Sequence, residues 1–284
     1  MKVKVLAIGN SFSQNAMRFF EQIVASVKGC ETVAANACIG GCPFDKHLRL
    51  AQLHEAEPEN PEGIPYLVDG RAQSLKDLLL KEKWDVITIQ QFSGYSYKPE
   101  TFRPSAKELC DYIRKYRPEP ELAIHQTWAY RSDNANVFNS SFSSEDMYRG
   151  LAAAYQGIAD ELEIKRIIPV GNAFQLVEET LGQTFAKDPS FVVEKAVFPQ
   201  LPKQFPSLHI GWFWNDEGKL CYDHGHANVR GEYLGGLVWF GNLFKRDPRR
   251  VKFTPDGIAA DDAAFLRRVA FRACKGEKPK ACPV

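Results

Sequence analysis

Short β-branched runs alternate with stretches of helical spacing along most of this chain, and that alternation restricts its fold more than anything else. Residues 2–8 read Lys-Val-Lys-Val-Leu-Ala-Ile, a strand signal, and residues 16–27 carry Met17, Phe20, Val24 and Val27 at helical spacing. Further strands are expected at 32–39, 85–90, 122–125 and 165–170, with helices at 46–55, 72–83, 104–116, 146–162 and 229–244. The run Asp-Val-Ile-Thr-Ile-Gln at 85–90 is nearly continuous in apolar residues, as a strand covered on both faces must be. The alternation predicts an α/β fold, a three-layer α/β/α doubly wound parallel sheet. Residues 56–70, rich in Pro, Glu, Asn and Gly, read as a surface loop. The expected organisation is one domain over 1–284, with an irregular insertion at about 172–222 and a C-terminal helical extension at about 245–284 whose helix covers 261–274.

In an open α/β sheet, ligands bind at the carboxyl ends of the strands. Here those ends are polar or glycine-rich one after another: Gly9-Asn10-Ser11, Gly40-Gly41, Gln90-Gln91, and His125-Gln126-Thr127-Trp128. Ser11 therefore stands at a strand-to-helix turn, near the positive end of a helix. Backbone N–H groups there can hold an anion, and a serine there can face a crevice. The plain alternative is a helix N-cap, a position that Ser and Asn favour.

A formal net charge of +1 supplies no global field to recruit nucleic acid or an anionic membrane. No apolar run is long enough to span a bilayer. Lys2 and Lys4 precede too few apolar residues for a signal-peptide core. The chain as written is expected to be cytoplasmic, or periplasmic or secreted if a leader precedes it. Seven cysteines leave at least one unpaired in a monomer. Cys38 and Cys42 have ligand-like spacing but no second pair with nearby histidines, so no zinc ribbon is expected. Cys274 and Cys282 are candidates for a disulfide under oxidising conditions, and buried thiols are the default elsewhere.

The late segment Asp223-His224-Gly225-His226 sets a carboxylate three residues before an imidazole, on a turn. Such a pair orients the ring and stabilises its protonated form, as a general base requires. With Ser11 it makes a Ser…Asp…His set, in which His226 takes the serine proton and returns it to the leaving group. Two other readings stand beside it. Cys221, Asp223, His224 and His226 together offer metal ligands, although their spacing matches no closed tetrahedral site. Alternatively Asp223 caps the following helix and both histidines are ordinary polar residues. His47 and His54 read as surface or rim residues.

Taken together, Ile-Gly-Asn-Ser-Phe-Ser at 8–13, Ile-Gly-Gly-Cys at 39–42, Trp-Asp-Val-Ile-Thr-Ile-Gln-Gln at 84–91, His-Gln-Thr-Trp-Ala-Tyr at 125–130 and Asp223-x-x-His226 resemble the SGNH hydrolase superfamily, the GDSL-like esterases and acetylesterases, in a bacterial branch of it. The resemblance implies a flavodoxin-like SGNH fold over residues 2–244. It also implies a serine ester hydrolase with Ser11 as nucleophile, His226 as base and Asp223 as its orienter. The oxyanion hole would use the Ser11 N–H, the Gly41 N–H (or Gly40) and a side-chain amide. Where the superfamily places an asparagine, this chain has Gln90-Gln91-Phe92-Ser93, which makes Gln91 the candidate amide and Gln90 its alternative. Asn10, His125, Gln126 and Trp128 are expected to bind substrate. Trp128, Tyr130, Trp212 and Trp214 would supply aromatic surface for a sugar. No cofactor and no metal is expected, and the expected partner is a small acylated molecule, a carbohydrate ester. The competing functions are a glycan-binding protein on the same fold with impaired catalysis, and a lipase or thioesterase.

Overall fold

The computed structural model describes residues 1–282. Its centre is a five-stranded, all-parallel sheet in the order β2-β1-β5-β6-β7, formed by β1 (Lys2–Gly9), β2 (Glu31–Cys38), β5 (Val86–Ile89), β6 (Glu121–His125) and β7 (Arg166–Ile168). Two hairpins stand apart from it: β3 (Tyr66–Val68) with β4 (Arg71–Gln73), and β8 (His209–Trp214) with β9 (Leu220–Ala227). The chain runs outward from β1 to β2, then crosses back to β5 on the other side. The carboxyl ends of β1 and β5 therefore flank the point where the winding reverses, the usual ligand crevice of such sheets.

Side-chain alternation along β1 divides the core into two apolar layers. Val3, Val5 and Ala7 face α1 (Ser11–Met17), α2 (Phe20–Ala25), α7 (Val170–Glu178), α8 (Val229–Phe244) and α9 (Ala260–Cys274). Leu6 and Ile8 face α3 (Phe44–Ala56), α4 (Leu75–Lys81), α5 (Ser105–Tyr116) and α6 (Ser144–Glu161). The α/β/α layering follows from the sequence pattern as expected. Helix α8 is buried at every residue from 230 to 241 and, unlike the outer helices, has no polar face to speak of. It packs beneath α1 and α7, with α9 on it. The expected C-terminal extension thus contributes α9 to the same apolar layer as α7 and α8.

Several boundaries differ from expectation. The helix expected over 16–27 starts earlier, at Ser11, and is broken at Arg18 and Phe19 into α1 and α2. Residues 56–70 include a short 3₁₀ turn (Pro61–Gly63) and β3, and the helix expected from 72 begins only at Leu75. There Ser74 and Asp77 cap it reciprocally, after residues 71–73 have paired as β4. The stretch 172–222 is irregular only in its middle. It opens in α7 and closes in the β8–β9 hairpin, which its Phe, Pro and Gly content disguised as loop. Gly211 in β8 has φ of +70°, and a Cβ there would lie 1.8 Å from the Arg131 guanidinium. All seven cysteines are free thiols, so the Cys274–Cys282 disulfide is absent; Cys274 Sγ instead approaches the Val238 carbonyl at 3.5 Å. No helix among the described residues is long and apolar enough to cross a membrane.

One close approach fixes the floor of the crevice. A Cβ on Gly171, at the start of α7, would sit 2.1 Å from the Thr127 carbonyl oxygen, and the Gly171 N–H donates to the Gln126 carbonyl at 3.2 Å. Helix α7 thus lies directly on the segment after β6. Gly171→Ala is expected to destabilise the protein by about 1–3 kcal/mol, the usual cost of overpacking. A urea midpoint equal to that of the parent protein would contradict this packing.

Candidate active site

Strand β1 ends at Gly9, and α1 begins two residues later. The cap of α1 is Asn10, not Ser11: the Asn10 Oδ1 accepts the Phe12 N–H at 3.1 Å. Ser11 is therefore the first helical residue, and its hydroxyl is not needed to cap the helix.

That hydroxyl meets His226. Ser11 Oγ lies 2.7 Å from His226 Nε2, and His226 Nδ1 lies 2.7 Å from Asp223 Oδ2. The carboxylate accepts the Nδ1–H, which leaves the Nε2 lone pair to accept the serine proton. Asp223 and His226 lie on β9 at an irregularity rather than on a free turn. His209 pairs with Ala227 and Gly211 with Asp223, so β9 carries extra residues between its two pairing points. The second carboxylate oxygen of Asp223 folds this bulge by accepting the Gly225 N–H at 3.0 Å and the His226 N–H at 2.9 Å. One Asp side chain thereby shapes the loop and aims the ring.

The electrostatics follow the geometry. Burial pushes the Asp223 carboxyl up, but the hydrogen bonds from the His226 ring and from two backbone N–H groups outweigh it and hold it at about 2. The Asp223 hydrogen bond raises the His226 pKa above its ordinary 6.5 against a partial burial that lowers it. His224 points elsewhere. It packs edge-on against Tyr130 with ring centroids 4.5 Å apart, and burial lowers its pKa.

Around this set lies an open cleft of about 400 Å³, bounded by Ser11, Phe12, Gly41, Phe92, Ser93, Tyr130, Phe213, Cys221, Tyr222 and residues 223–226. Gly41, with φ of +60°, borders it, while Gly40 does not. Neither the Ser11 nor the Gly41 N–H donates to a backbone carbonyl among the described residues. Among the described residues, Cys221, Asp223, His224 and His226 do not form a group that could hold a metal ion. A larger groove of about 580 Å³, lined by Lys165, Lys245, Arg246 and Lys275 among others, contains none of these residues.

Other expected contacts lie under the cleft instead of in it. The Gln91 amide is engaged elsewhere: its Nε2 donates to the Thr101 carbonyl at 2.7 Å, and its Oε1 accepts the Phe44 and Phe92 N–H groups at 3.1 and 2.9 Å. Gln91 is therefore a brace for the start of α3, not a donor in the cleft. Its alternative, Gln90, belongs to a buried relay. His125 Nδ1 donates to Gln90 Oε1 at 2.9 Å, Gln90 Nε2 donates to Asn10 Oδ1 at 2.6 Å, and Asn10 Nδ2 donates to the Cys42 carbonyl at 3.1 Å. All the donors point one way, from the core toward the loop that carries Gly41. Burial pushes the His125 pKa down to about 3, so the ring is neutral. Gln126 accepts the Asn172 N–H at 2.9 Å and anchors α7.

Trp128 is fully buried and donates its Nε1–H to the Gly225 carbonyl at 2.9 Å. It is stacked between Phe12, at 4.3 Å, and Phe174, at 4.5 Å. Asn10, His125, Gln126 and Trp128 thus support the cleft without lining it. Trp212 packs on Tyr222, and Trp214 donates to the Gln200 carbonyl; neither borders the cleft. Its aromatic walls come from Phe12, Phe92, Tyr130, Phe213 and Tyr222, of which Tyr130 alone belongs to the aromatic surface expected for a sugar. His47 is also buried, not at a rim: its Nε2 donates to the Gly9 carbonyl at 3.1 Å, and Tyr66 donates to its Nδ1 at 2.8 Å.

Sheet order and layering give the chain the fold seen in SGNH-like hydrolases. The chain belongs to the family described as Domain of unknown function (DUF4886), which matches residues 4–191. The crystal structure of a DUF4886 family protein from Bacteroides uniformis is similar over 99% of this chain and 98% of that one, at 25% identity and a TM-score of 0.74. A protein from Slackia heliotrinireducens assigned to the SGNH hydrolases aligns over 86% of this chain and all of its own, at 17% identity and a TM-score of 0.50. No curated protein sequence matches the chain.

A base that must be neutral to act loses activity as pH falls through its pKa. With His226 proposed as that base and its pKa raised above the ordinary 6.5 by Asp223, the acid limb of kcat/KM is expected to lie above that of an unperturbed imidazole. Asp223→Asn removes the carboxylate that raises it. The inflection should then move to lower pH, and kcat should drop by about 10⁴-fold. A pH–rate profile with an unmoved inflection would contradict the coupling of this pair.

Proposed function

We propose that the protein is a serine ester hydrolase working through an acyl-serine intermediate. The observation that carries this reading is the unbroken line Ser11 Oγ–His226 Nε2, His226 Nδ1–Asp223 Oδ2, both links at 2.7 Å and open to the cleft. Ser11 Oγ attacks the ester carbonyl carbon as its proton passes to His226 Nε2. The carbonyl π electrons move onto oxygen, giving a tetrahedral oxyanion. Collapse restores the C=O bond, breaks the bond to the alcohol oxygen, and returns the His226 proton to that oxygen. Water then repeats the sequence on the acyl-serine, losing a proton to His226 and releasing the acid. Asp223 stays ionised throughout and balances the charge of the imidazolium.

The first helical residue is a favourable place for a developing anion, because free N–H groups and the helix dipole meet there. The Ser11 and Gly41 N–H groups, both at the cleft, are suited to the oxyanion. The acyl group we assign is acetyl or another short chain, and the alcohol a carbohydrate hydroxyl. The cleft is open and partly aromatic, and Phe92, Phe213 and Tyr222 among its lining residues would supply surface for a sugar ring.

Hydrolysis of p-nitrophenyl acetate and of acetylated sugars by the parent protein, with Ser11→Ala as control, tests the reading. The variant is expected to lose about 10⁴-fold or more in kcat. Equal rates for the two proteins would exclude a serine esterase.

A further inference from the structure

An ester carbonyl that becomes a full oxyanion is held best by several preorganised donors. Two are backbone N–H groups, at Ser11 and Gly41, and both side-chain amides near the strand end are committed elsewhere. Besides the His224 ring and the Cys221 thiol, the remaining side-chain donors at the cleft are hydroxyls and the His226 ring, and counting the hydroxyl protons singles out one pair. Ser93 Oγ and Tyr130 Oη lie 3.0 Å apart. Two hydroxyls carry two protons, and the bond between them uses one. Neither oxygen has another hydrogen-bond partner among the described residues, so one proton has no acceptor in the protein. Both residues border the same cleft as Ser11 and Gly41. Ser93 is 2% exposed and Tyr130 8%, so the phenol is the better placed to present the spare proton to the cleft.

We infer that Tyr130 donates the third hydrogen bond to the oxyanion, with Ser93 as the positioning residue that donates to Tyr130 and fixes the phenol rotor. The inference rests on the serine-esterase reading above. No covalent bond to Tyr130 forms or breaks; its O–H proton bonds more strongly to the carbonyl oxygen as negative charge accumulates there. Burial raises the Tyr130 pKa, which keeps the phenol a donor across the working range of His226.

The ring is held by the same bulge that carries the base. A Cβ on Gly225 would lie 3.1 Å from the Tyr130 ring, and the His224 ring packs edge-on against it. The Tyr130 backbone is tied as well: Ser144 Oγ donates to the Tyr130 carbonyl at 2.6 Å, and the Tyr130 N–H reaches Met147 Sδ at 3.5 Å. Donor and base are thus registered to each other through residues 224 and 225.

Tyr130→Phe keeps the ring and removes only the oxygen. It is expected to lower kcat on p-nitrophenyl acetate by about 100-fold, while KM changes by less than about threefold. Ser93→Ala should cost less, about fivefold, and the double variant should match Tyr130→Phe because the two hydroxyls act as one unit. Phenylboronic acid, which forms a tetrahedral adduct on an active serine, should bind Tyr130→Phe more weakly in proportion to the loss of kcat. Parent activity lost in Ser11→Ala but retained in both Tyr130→Phe and Ser93→Ala overturns the Tyr130 assignment and leaves the esterase reading standing. A parent protein that neither turns over ester faster than Ser11→Ala nor takes up the boronate overturns both. If Tyr130→Phe fails to fold, judged by circular dichroism, Ser93→Ala decides: a several-fold loss in kcat at constant KM supports the assignment, and no loss overturns it.

Discussion

Helix α1 lies almost in backbone contact with α8, and the site depends on that approach. A Cβ on Gly235 would stand 3.0 Å from the Ala16 Cα of α1, and one on Gly236 would lie 3.5 Å from the Ala16 carbonyl oxygen and 2.7 Å from Ile23 of α2. Only glycines let the two helices come this close. Polar ties then fix the register along the contact. Glu232 of α8 accepts hydrogen bonds from Asn15 and Arg18, and Asn15 accepts the Ala227 N–H at 3.1 Å. Ala227 directly follows His226. The same packing that buries α8 therefore brings the start of α1 to the end of β9, across 215 residues of sequence.

Beneath this contact, two supports of different chemistry hold the cleft. The polar one is the relay from His125 through Gln90 and Asn10 to the Gly41 loop, each donor matched to a single acceptor. Such a relay is stiff because any member that turns leaves a buried group unsatisfied. The apolar one is the stack of Phe12, Trp128 and Phe174, which seats the residue next to Ser11. Trp128 joins the two halves of the site, since its N–H reaches the carbonyl of Gly225 in the bulge. Aromatic stacking fixes the serine side and a hydrogen bond fixes the histidine side, through one indole.

Much of this was legible in the chain. The β1 run, the turn at Gly9-Asn10-Ser11 and the apolar 85–90 segment are local patterns, and local patterns survive into the fold. Asp223 and His226 were readable as a pair because both lie within one short segment. What the sequence hid was direction. A polar residue at a strand end can face a ligand or satisfy a neighbour, and Asn10, Gln91, His125 and Gln126 all do the second. Trp128 was hidden for the same reason, because stacking partners at positions 12 and 174 leave no local mark. The β8–β9 hairpin escaped notice because Gly211 and its aromatic neighbours resemble loop composition, while its pairing is set by contacts with Arg131 and Gln204. Ser93 gave no signal alone; its meaning comes from Tyr130, on a different loop.

The Asp223 carboxylate binds the two N–H groups of its own bulge and the ring that the bulge carries. Asp223 and His226 therefore form one cassette, with their spacing set within residues 223–226. Of the two gaps in the line from serine to carboxylate, only the one between Ser11 and His226 is left for long-range assembly to adjust. Tolerance to drift elsewhere in the protein reduces to a single distance, and that distance can be retuned by small shifts of one hairpin against one helix.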